Sequence, residues 1–570
     1  MVQHGAIELH IAIVRVDPTG KITIWVTNDG PHRLRKDLAS ALGMPLKKLR
    51  VISPSYIGGG FGGKGGLKVE TICIALALKT EYRPVKILLT REEVFTLLVR
   101  HPSIVRLKTG VKKDGRLWAR EAKVIYDTGA YAEKGPTVTQ QASVAAVGPY
   151  KIPNVKVDGY CVYTNKPIAG AYRGYGIPQV AWAHESQMDI IAHKLGINPV
   201  EIRLKNAVEE GDISPTGQQV LHSVGLKECI KKVVKNVDWN KPDKKNRGKG
   251  IACAYKNTKT PSGSSAIVKI NPDGSVEVLM SSIEEGQGPK TILSQIAAEE
   301  LRAPLESITM ATPDTDVTPF DASTTSSRTT FHMGNAVRKA AKDAKEQLLE
   351  IGSKILGAEI KELRIEKGKI YAKKNPDKRF TFAEIIKSRY KAGLDIIGRG
   401  SYYTTVPRGT GAMWAAPSIF WMYGAHYVEV EVDTETGRVK ILKILAAHDV
   451  GKAINPATCE GQIEGGVVHG IGPTLFEEMM IGEKGNVLNS SFLDYKIPTV
   501  LDVPEITPFI IEEAHKEGPY GAKGIGEVTL VPTASAIANA IYDAIGIRIK
   551  DLPITPDKIL KALKNKQSDK

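Results

Sequence analysis

The sequence predicts an α+β fold made of two related mixed α/β halves, with a ligand crevice between them. The first observation is a weak internal duplication, IVRVDPTGKITIWV near the start and IVKINPDGSVEVLM near the middle. Each copy is an alternating strand, a Pro/Gly turn and a second strand, followed by a glycine loop, a helix and a short strand. The second observation is the length of 570 residues, which exceeds what one hydrophobic core covers. Two halves facing one another would place glycine loops on both sides of the crevice, a common ligand site.

The boundary between the halves is predicted in the polar, lysine-rich segment 235–250. We expect residues 1–240 to form the first domain and residues 251–570 to form the second. Residues 241–250 are expected to be a basic linker between them.

The other elements are predicted from turn residues, helix caps and hydrophobic periodicity. In chain order they are a hairpin within 106–131, a helix over 178–195, a second helix capped by Asn198 over 200–208, a long amphipathic helix over 334–357 and a small-residue helix over 533–545. The uncharged stretch 411–428 is about long enough to span a membrane, but it contains Pro417 and His426 and runs into an alternating strand. We interpret it as buried sheet and loop.

The formal net charge of +16 admits more than one class of partner. Nucleic acid is one interpretation, but the lysines are scattered except in 231–250 and the C-terminal tail. A lysine-rich surface also suits a thermophilic protein or docking against acidic subunits. We favour the solvated, docking surface and keep nucleic-acid binding as an alternative.

The cysteines and the N-terminus exclude other classes. Five cysteines lie far apart without a C-x-x-C pair, which argues against a disulfide scaffold, a zinc site or an iron–sulfur cluster in this chain. The first ten residues lack the apolar core of a signal peptide, so we expect a cytoplasmic protein without a membrane span.

The stretch GGGFGGK, residues 58–64, matches the first part of a phosphate-binding loop. Such a loop needs a hydroxyl residue after the lysine to hold magnesium, whereas Gly65 follows Lys64. A P-loop NTPase is therefore an alternative of a different class. The favoured interpretation starts from the other glycine-rich loops, AYRGYGIPQ, EEGQG, GQIEGGVVHGIG and GPYGAKGIGE. Five such loops offer many backbone N–H groups, which suit a large polar ligand carrying a phosphate and a heterocycle.

Seven ordered motifs resemble those of the molybdenum hydroxylases, the family of xanthine dehydrogenase, aldehyde oxidoreductase and the large subunit of aerobic carbon monoxide dehydrogenase. They are GGGFGGK, AYRGYG, GQG, the run STTSS at 323–327, HDVGKAINP, GQIEGG and GAKGIGE. The resemblance covers essentially all 570 residues. It implies an elongated unit that holds molybdenum through molybdopterin in the central crevice, with a cytosine dinucleotide as one form of the pterin.

The resemblance also implies roles for individual residues. Glu527 matches the catalytic glutamate and Arg173 lies in the loop that approaches the metal's oxygen ligands. The residues expected to bind the cofactor are Gly60, Phe61, Gly62, Gln287, Gly288, Thr324, Thr325, Ser326, Ser327, Gln462, Lys523 and Gly524. No protein side chain is expected to ligate the metal.

Glu527 is expected to take a proton while an electrophilic carbon of the substrate is attacked. A carboxylate in a pocket of glycines and apolar side chains would have a pKa raised toward neutrality. The two electrons would leave through the pterin. Because this chain has no cysteine pattern for [2Fe–2S] clusters and no flavin fingerprint, an iron–sulfur subunit and an FAD subunit are the expected partners.

The substrate is predicted to be an aldehyde. Purine-specific relatives carry charged residues where this chain has Gly65 and Gln141, and an uncharged pocket suits an aldehyde or a neutral heterocycle. The carbon monoxide enzymes hold copper through a cysteine, and we expect no cysteine near the site loops. An N-heterocycle or purine hydroxylase, a carbon monoxide dehydrogenase homologue and an inactive orphan subunit are the alternatives within the family.

Two departures from the family pattern stand out. Met1 falls near the junction with a further domain of the relatives, so we expect that domain either on a separate chain or lost from the gene model. Asp29 stands where many relatives carry a glutamine that contacts the metal's oxygen ligand, which makes the hydrogen bonding there different.

Overall fold

Six β-sheets flanked by helices make up the protein, as described by a computed structural model over residues 1–214, 220–235, 237–239, 244–389, 394–405 and 418–568. Within these residues there are three four-stranded, two three-stranded and one two-stranded sheet. The predicted α+β class is confirmed, since both mixed and antiparallel sheets occur with helices packed against them.

The first part of the chain contains strands β1 to β9 and helices α1 to α7. The strands are β1 Ile11–Val16, β2 Ile22–Val26, β3 Leu49–Ile52, β4 Val85–Leu88, β5 Val99–Arg100, β6 Ser103–Val111, β7 Leu117–Asp127, β8 Asn154–Val162 and β9 Ala169–Gly170. The helices are α1 Pro31–Leu42, α2 Glu70–Ala77, α3 Arg91–Leu97, α4 Gly135–Ala145, α5 Ile177–Leu195, α6 Pro199–Asn206 and α7 Leu226–Val234. The sheet orders are β3-β2-β1-β4, β6-β7-β8 and β5-β9.

The second part contains strands β10 to β20 and helices α8 to α13. The strands are β10 Arg247–Asn257, β11 Ser262–Ile270, β12 Val276–Leu279, β13 Ile308–Met310, β14 Leu363–Glu366, β15 Lys369–Ala372, β16 Asn375–Thr381, β17 Ile396–Thr404, β18 Trp421–Val432, β19 Val439–Asp449 and β20 Glu505–Ile511. The helices are α8 Pro289–Leu301, α9 Thr329–Leu356, α10 Phe382–Arg389, α11 Pro456–Ile471, α12 Thr533–Ile545 and α13 Pro556–Ser568. The sheet orders are β10-β18-β19-β20, β13-β12-β11-β17 and β14-β15-β16.

The duplicated sequence unit folds the same way in both copies. In each, an antiparallel strand pair is followed by a helix and a short strand that pairs in parallel with the second strand: β1-β2-α1-β3 and β11-β12-α8-β13. Both helices end in a left-handed residue, Gly43 and Arg302, and both are followed by a proline and a short 3-10 turn. The predicted order of strand, turn, strand, helix and short strand is therefore correct in both copies.

Glycines allow two helices to lie directly on strands. A Cβ at Gly250 of β10 would lie 2.1 Å from the backbone oxygen of Ala536 on α12. A Cβ at Gly400 of β17 would lie 2.1 Å from the backbone oxygen of Ala336 on α9. The predicted close burial of the small-residue helix over 533–545 arises from this backbone contact.

The predicted helices and hairpin agree with the structure, with shifts at their ends. The hairpin within 106–131 is β6 and β7, and α9 begins five residues before the predicted 334 because Arg328 and Thr329 already continue the helical backbone. Within the predicted stretch 411–428, residues 411–417 lie outside the described residues and Trp421 begins β18. Of the described chain, one stretch, Val528–Ile545, is apolar and long enough to cross a membrane, and 67% of it is buried in the protein.

The predicted linker 241–250 lies only partly within the described residues, because 241–243 fall outside them. From Arg247 onward the chain is already in β10, so the end of that predicted linker is strand. The domain boundaries stay a prediction.

Candidate active site

A cavity of about 1080 Å³ lies where the glycine loops of both parts of the chain meet. From the first part it is lined by loop 60–66, by residues 133–144 at α4 and by 171–175 before α5. From the second part it is lined by 256–260, 285–287, 324–330, the α11 segment and 523–527. Such a volume is at the upper end of what ligand and cofactor sites occupy, roughly 300–1,000 Å³.

All but one of the residues predicted from the sequence line this cavity. They are Glu527, Arg173, Gly60, Phe61, Gly62, Gln287, Thr324, Thr325, Ser326, Ser327, Gln462, Lys523 and Gly524. The exception is Gly288, which caps α8 and donates its backbone N–H to Glu284 Oε1 at 3.0 Å. The residues converge as expected, but the contacts that they make differ from the expectation in several places.

Glu527 precedes a short 3-10 turn that leads into the buried helix α12. Its backbone N–H donates to Ser327 Oγ at 3.0 Å, and Ser327 Oγ donates to Glu527 Oε2 at 3.3 Å. The Nζ of Lys256 lies 3.0 Å from the same oxygen. Among the described residues Oε1 has no hydrogen-bond partner. The expectation of an apolar pocket around Glu527 is therefore wrong, because a buried ammonium group faces it.

Arg173 ties three of the site loops together. Its Nε donates to the Gly526 carbonyl at 2.6 Å, and its Nη2 lies 3.3 Å from Gln462 Oε1 and 3.2 Å from Thr529 Oγ1. Its backbone N–H donates to the Phe61 carbonyl at 2.8 Å. Burial lowers the pKa of Arg173 to about 10, while the charge of Glu527 opposes the shift. Arg173 thus fixes the loop that carries Glu527.

The run 324–327 is held in a strained backbone conformation beside Glu527. Ser326 and Ser327 have φ values of 56° and 54°, and Phe61 in the facing loop has 53°, a region that non-glycine residues rarely occupy. A Cβ at Gly524 would lie 1.8 Å from the Ser327 carbonyl oxygen, so only glycine permits this approach. Strain of this kind clusters at functional sites.

The two glutamines predicted to hold the cofactor differ in whether their amide groups are already engaged in hydrogen bonds within the protein. Gln287 accepts from the Glu285 backbone N–H at 2.6 Å and donates to the Ile283 carbonyl at 2.9 Å, so its amide mainly shapes its own loop. Gln462 accepts only from Arg173, and its amide N–H₂ has no acceptor among the described residues. Of the two, Gln462 is free to donate into the cavity.

Two lysines near the cavity are committed to ion pairs. Lys523 Nζ lies 2.5 Å from Asp449 Oδ2 with both side chains fully buried, and it also donates to the Ser223 carbonyl. Its ammonium group therefore stabilises the loop, and its role in binding the cofactor stays a prediction. Lys64 is 1% exposed and pairs with Glu8, which removes the phosphate contact that a P-loop lysine makes.

Sequence reasoning missed four groups on the cavity wall. Lys256 is the last residue but one of β10, and Asn257, which ends the strand, exchanges amide hydrogen bonds with Gln141 at 2.7 and 3.1 Å. Glu285 lies in the EEGQG loop, and Glu133 precedes α4. A lysine and an asparagine that directly follow the apolar run GIACAY were the pattern that could have indicated the first two.

Asp29 and Glu285 form an acidic corner against the loop 60–66. A Cβ at Gly65 would lie 2.7 Å from Asp29 Oδ2, and a Cβ at Gly60 would lie 2.7 Å from Glu285 Oε2. Burial raises the pKa of Asp29 to about 6. Burial and the charge of Asp29 raise the pKa of Glu285 to about 8, and its Oε1 is buried with no hydrogen-bond partner among the residues that the structure describes. At neutral pH this corner therefore carries a proton.

Two expectations about the pocket are wrong. The absence of charge at Gly65 and Gln141 does not leave an uncharged pocket, because Glu133, Lys134 and Lys256 line it. Cys459, at the first turn of α11, also lines the cavity, although no cysteine was expected near the site loops. Burial raises the pKa of its thiol to about 11, which opposes the thiolate form that binds metals.

The donor set fits a molybdenum–pterin group. Cβ atoms at Gly286 and Gly465, which both line the cavity, would meet nothing within 4 Å, so bare backbone is presented to open space. The capped N-terminus of helix α11 lines the cavity, and this feature favours an anionic group. Gln462 adds an amide donor, and the protonated acidic corner can donate toward an oxygen ligand.

Sequence comparison matches both parts of the chain to one family. Residues 1–207 and residues 220–504 each match the family described as "Molybdopterin cofactor-binding domain". The xanthine dehydrogenase molybdenum-binding subunit of Escherichia coli O157:H7 is 35% identical, with 98% of this chain and 75% of that protein covered. The aldehyde oxidoreductase molybdenum-binding subunit PaoC of the same organism is 29% identical, with 98% and 74% covered.

Solved structures show the same architecture. Quinoline 2-oxidoreductase from Pseudomonas putida 86 superposes with a TM-score of 0.89 at 27% identity, covering 99% of this chain and 75% of that one. The aldehyde oxidoreductase from Desulfovibrio gigas superposes with a TM-score of 0.86 at 28% identity, covering 99% of this chain and 60% of that one.

Proposed function

This chain belongs to the molybdopterin cofactor-binding family of molybdenum oxidoreductases, and on that premise we propose that it is the catalytic subunit of a hydroxylase. The reaction is the oxidation of a small polar substrate at an electrophilic carbon: RCHO + H₂O gives RCOOH, two electrons and two protons. The observation that carries this proposal is the meeting of Glu527, Lys256 and Arg173 on one wall of the 1080 Å³ cavity.

Glu527 is proposed as the base, and its two oxygens have different tasks. Oε2 is engaged by Lys256 and Ser327, so the carboxylate is held in one orientation. Oε1 is free of partners among the described residues and is the atom proposed to take the proton. When bound, the molybdenum–pterin group activates a water-derived oxygen and accepts the two electrons.

The residues proposed to hold the group are Gln462, the backbone of loop 60–62, and the N-terminus of α11. Arg173 positions the base loop through Gly526 and does not need to touch the group itself. Glycines at these places let the backbone approach the ligand closely, while Phe61 packs edge-on against His469 at 4.8 Å between ring centroids.

An aldehyde is the substrate that we propose first. Purine-specific relatives carry charged residues that orient the purine, and this chain has the uncharged Gly65 and Gln141 at those positions. A second candidate, an N-heterocycle, is favoured by the amide pair of Gln141 and Asn257, which presents both a donor and an acceptor. The charged side chains that line the cavity can interact with either substrate, since each has an electrophilic carbon bonded to oxygen or nitrogen.

Curated relatives carry names of subunits, and this chain spans three quarters of the length of the first of them. We propose that an iron–sulfur subunit and an FAD subunit complete the electron path. A cytoplasmic location fits such a complex.

The first test is the purified native complex and its Glu527→Gln variant. We expect molybdenum by elemental analysis in both, with turnover of benzaldehyde by an artificial electron acceptor only in the wild type. A positioned base typically contributes about 10²–10⁴-fold, so kcat should fall at least that far. Turnover of xanthine but no aldehyde would overturn the aldehyde assignment, and a complex without molybdenum would overturn the function.

A further inference from the structure

Lys256 is a buried cation that faces the cavity. Its side chain is 2% exposed, and it sits at the end of β10, where register pairing with Met422 of β18 fixes its backbone. An ammonium group taken out of water costs several kcal/mol unless it is paired. Lys256 is paired, and its partner is Glu527, the proposed base.

The pairing of Lys256 leaves part of its ammonium group unused. An ammonium group has three hydrogens to donate. One is donated to the Asn257 carbonyl at 2.9 Å, and Nζ also forms an ion pair with Glu527 Oε2 at 3.0 Å. No other acceptor lies among the described residues, and Lys256 lines the cavity.

Lys523 is a second cavity-lining lysine with one carboxylate and one carbonyl partner, and it differs from Lys256 in the position of that carboxylate. Lys523 and its partner Asp449 are both fully buried, and the pair is closed by the Ser223 carbonyl. The partner of Lys256 is instead Glu527, which is 17% exposed and opens to the cavity. The two lysines differ in that only Lys256 shares its partner with the proposed chemistry.

Lys256 also lies next to the amide pair of Gln141 and Asn257, in which Gln141 stands where purine-specific relatives carry a charged residue. Gln141 bonds to Asn257, the neighbour of Lys256 along β10, so the lysine and the amide pair form one patch of wall. A substrate with its carbon near Glu527 would have its heteroatom within reach of this patch. Negative charge grows on that heteroatom as the carbon is attacked, and a fixed cation lowers the barrier.

We propose that Lys256 is a catalytic residue that donates its free N–H to the oxygen or nitrogen bonded to the attacked carbon. The same ammonium group keeps Glu527 in place through their ion pair. This inference rests on the proposed function, because it assigns the electrophilic partner of that same reaction.

The test compares Lys256→Met and Lys256→Arg with Lys249→Met in the assembled complex. Lys249 is a matched control, since it is a buried lysine of the same strand whose Nζ donates to the Asp238 carbonyl at 3.0 Å, away from the cavity wall. Binding is measured by titration calorimetry with benzamide, a carbonyl compound without an oxidisable aldehyde hydrogen.

We expect Lys256→Met to raise the Kd of benzamide by about tenfold, which is the value of one hydrogen bond to a charged group. Its kcat/KM should fall by about 10²-fold, the effect of removing one donor to a developing oxyanion. Lys256→Arg should recover most of both losses, and Lys249→Met should leave both within about twofold of the wild type.

The proposal is overturned if wild-type complex does not bind benzamide, if Lys256→Met binds it as the wild type does, or if Lys249→Met shows the same loss. These readings do not depend on turnover. A complex that binds benzamide through Lys256 but lacks molybdenum or any oxidation would instead overturn the proposed function.

Discussion

At this site, the pKa of a single side chain depends on its burial as much as on its residue type. Glu285 shows this: it lies in the EEGQG loop, as its sequence neighbours suggest, yet the structure leaves one of its oxygens buried with no hydrogen-bond partner in the described part of the chain. Burial has the largest effect on its pKa. The charges that follow, in decreasing order of effect, are those of Asp29, Lys64, Glu284 and Glu8. Three of the four are acidic, so the ionised form is disfavoured.

Glu285 should make the protein less stable as pH rises. Its pKa is about 8 in the folded protein against an ordinary 4.5, so between these values the folded state keeps a proton that the unfolded state has lost. Stability is then fully present below pH 4.5 and is lost as pH rises toward 8. Glu285→Gln should flatten this decline in urea-unfolding midpoints measured from pH 5 to 9.

The control is Glu460→Gln, since Glu460 is exposed on α11 and should not change the slope. Each pKa unit is worth about 1.4 kcal/mol, so a difference of at least that size between pH 5 and 8 is expected. Parallel pH curves for wild type and Glu285→Gln would contradict the assignment of a retained proton to Glu285.

At the scale of elements, helix α11 combines packing and binding through glycines on different faces. A Cβ at Gly466 would lie 2.0 Å from Thr529 Oγ1, so that face touches the loop after Glu527. A Cβ at Gly465 would meet nothing within 4 Å, and that residue lines the cavity. One face therefore needs glycine for packing and the other leaves room for a ligand.

Gly465→Leu should block the cofactor without unfolding the chain. Leucine is a better helix former than glycine by about 0.8–1 kcal/mol, so the helix itself gains stability. The new side chain projects into the cavity, and molybdenum content by elemental analysis should fall to a small fraction of the wild-type value. Gly461→Leu is the matched control, because Gly461 lies on the same helix with open space around it but does not line the cavity. Equal molybdenum in both variants would show that α11 does not border the bound group.

Local patterns predicted the elements better than the contacts between them. The Pro/Gly turns, the caps at Asn198 and Gly196, and the alternation of β1 and β11 are local, and the structure follows them. Lys256 could not be assigned because its partner Glu527 is 271 positions away along the chain, and only the packing of α12 on β10 brings them together. The ion pair of Lys523 could not be predicted for the same reason, because its partner Asp449 is distant in sequence.

Sequence motifs nevertheless predicted the convergence at the cavity. Glycines at 62 and 524 are required where one loop passes against the backbone of another, so the clustering of glycines along the chain indicates close backbone approach. What the clustering could not show is which polar atoms are already engaged within the protein, as with the amide of Gln287.

At the scale of the whole molecule, a buried polar network joins the helices before residue 207 to strand β10. Glu185 on α5 accepts from Arg203 Nε at 2.9 Å, from Tyr150 OH at 2.6 Å and from the backbone N–H of Cys253 at 2.8 Å. Arg203 Nη1 also lies 2.7 Å from Asp189 Oδ1. Burial alone would raise the pKa of Glu185, but Arg203 and its other partners hold it at about 2. The network thus fixes strand β10, on which Lys256 lies.

Arg203→Met should destabilise the chain by about 3–5 kcal/mol, because two buried carboxylates lose their cation. Arg116→Met is the control: its pair with Asp114 is 63% and 45% exposed, and such pairs contribute about 0–1 kcal/mol. Without Arg203 the carboxylates are stabilised in their protonated form, so the deficit should shrink as pH falls from 8 to 5. Adding Glu185→Gln to Arg203→Met should recover part of the loss, since one uncompensated charge is removed. A deficit that is the same at both pH values in urea unfolding would mean that Arg203 acts through packing, and its link to β10 would then be steric.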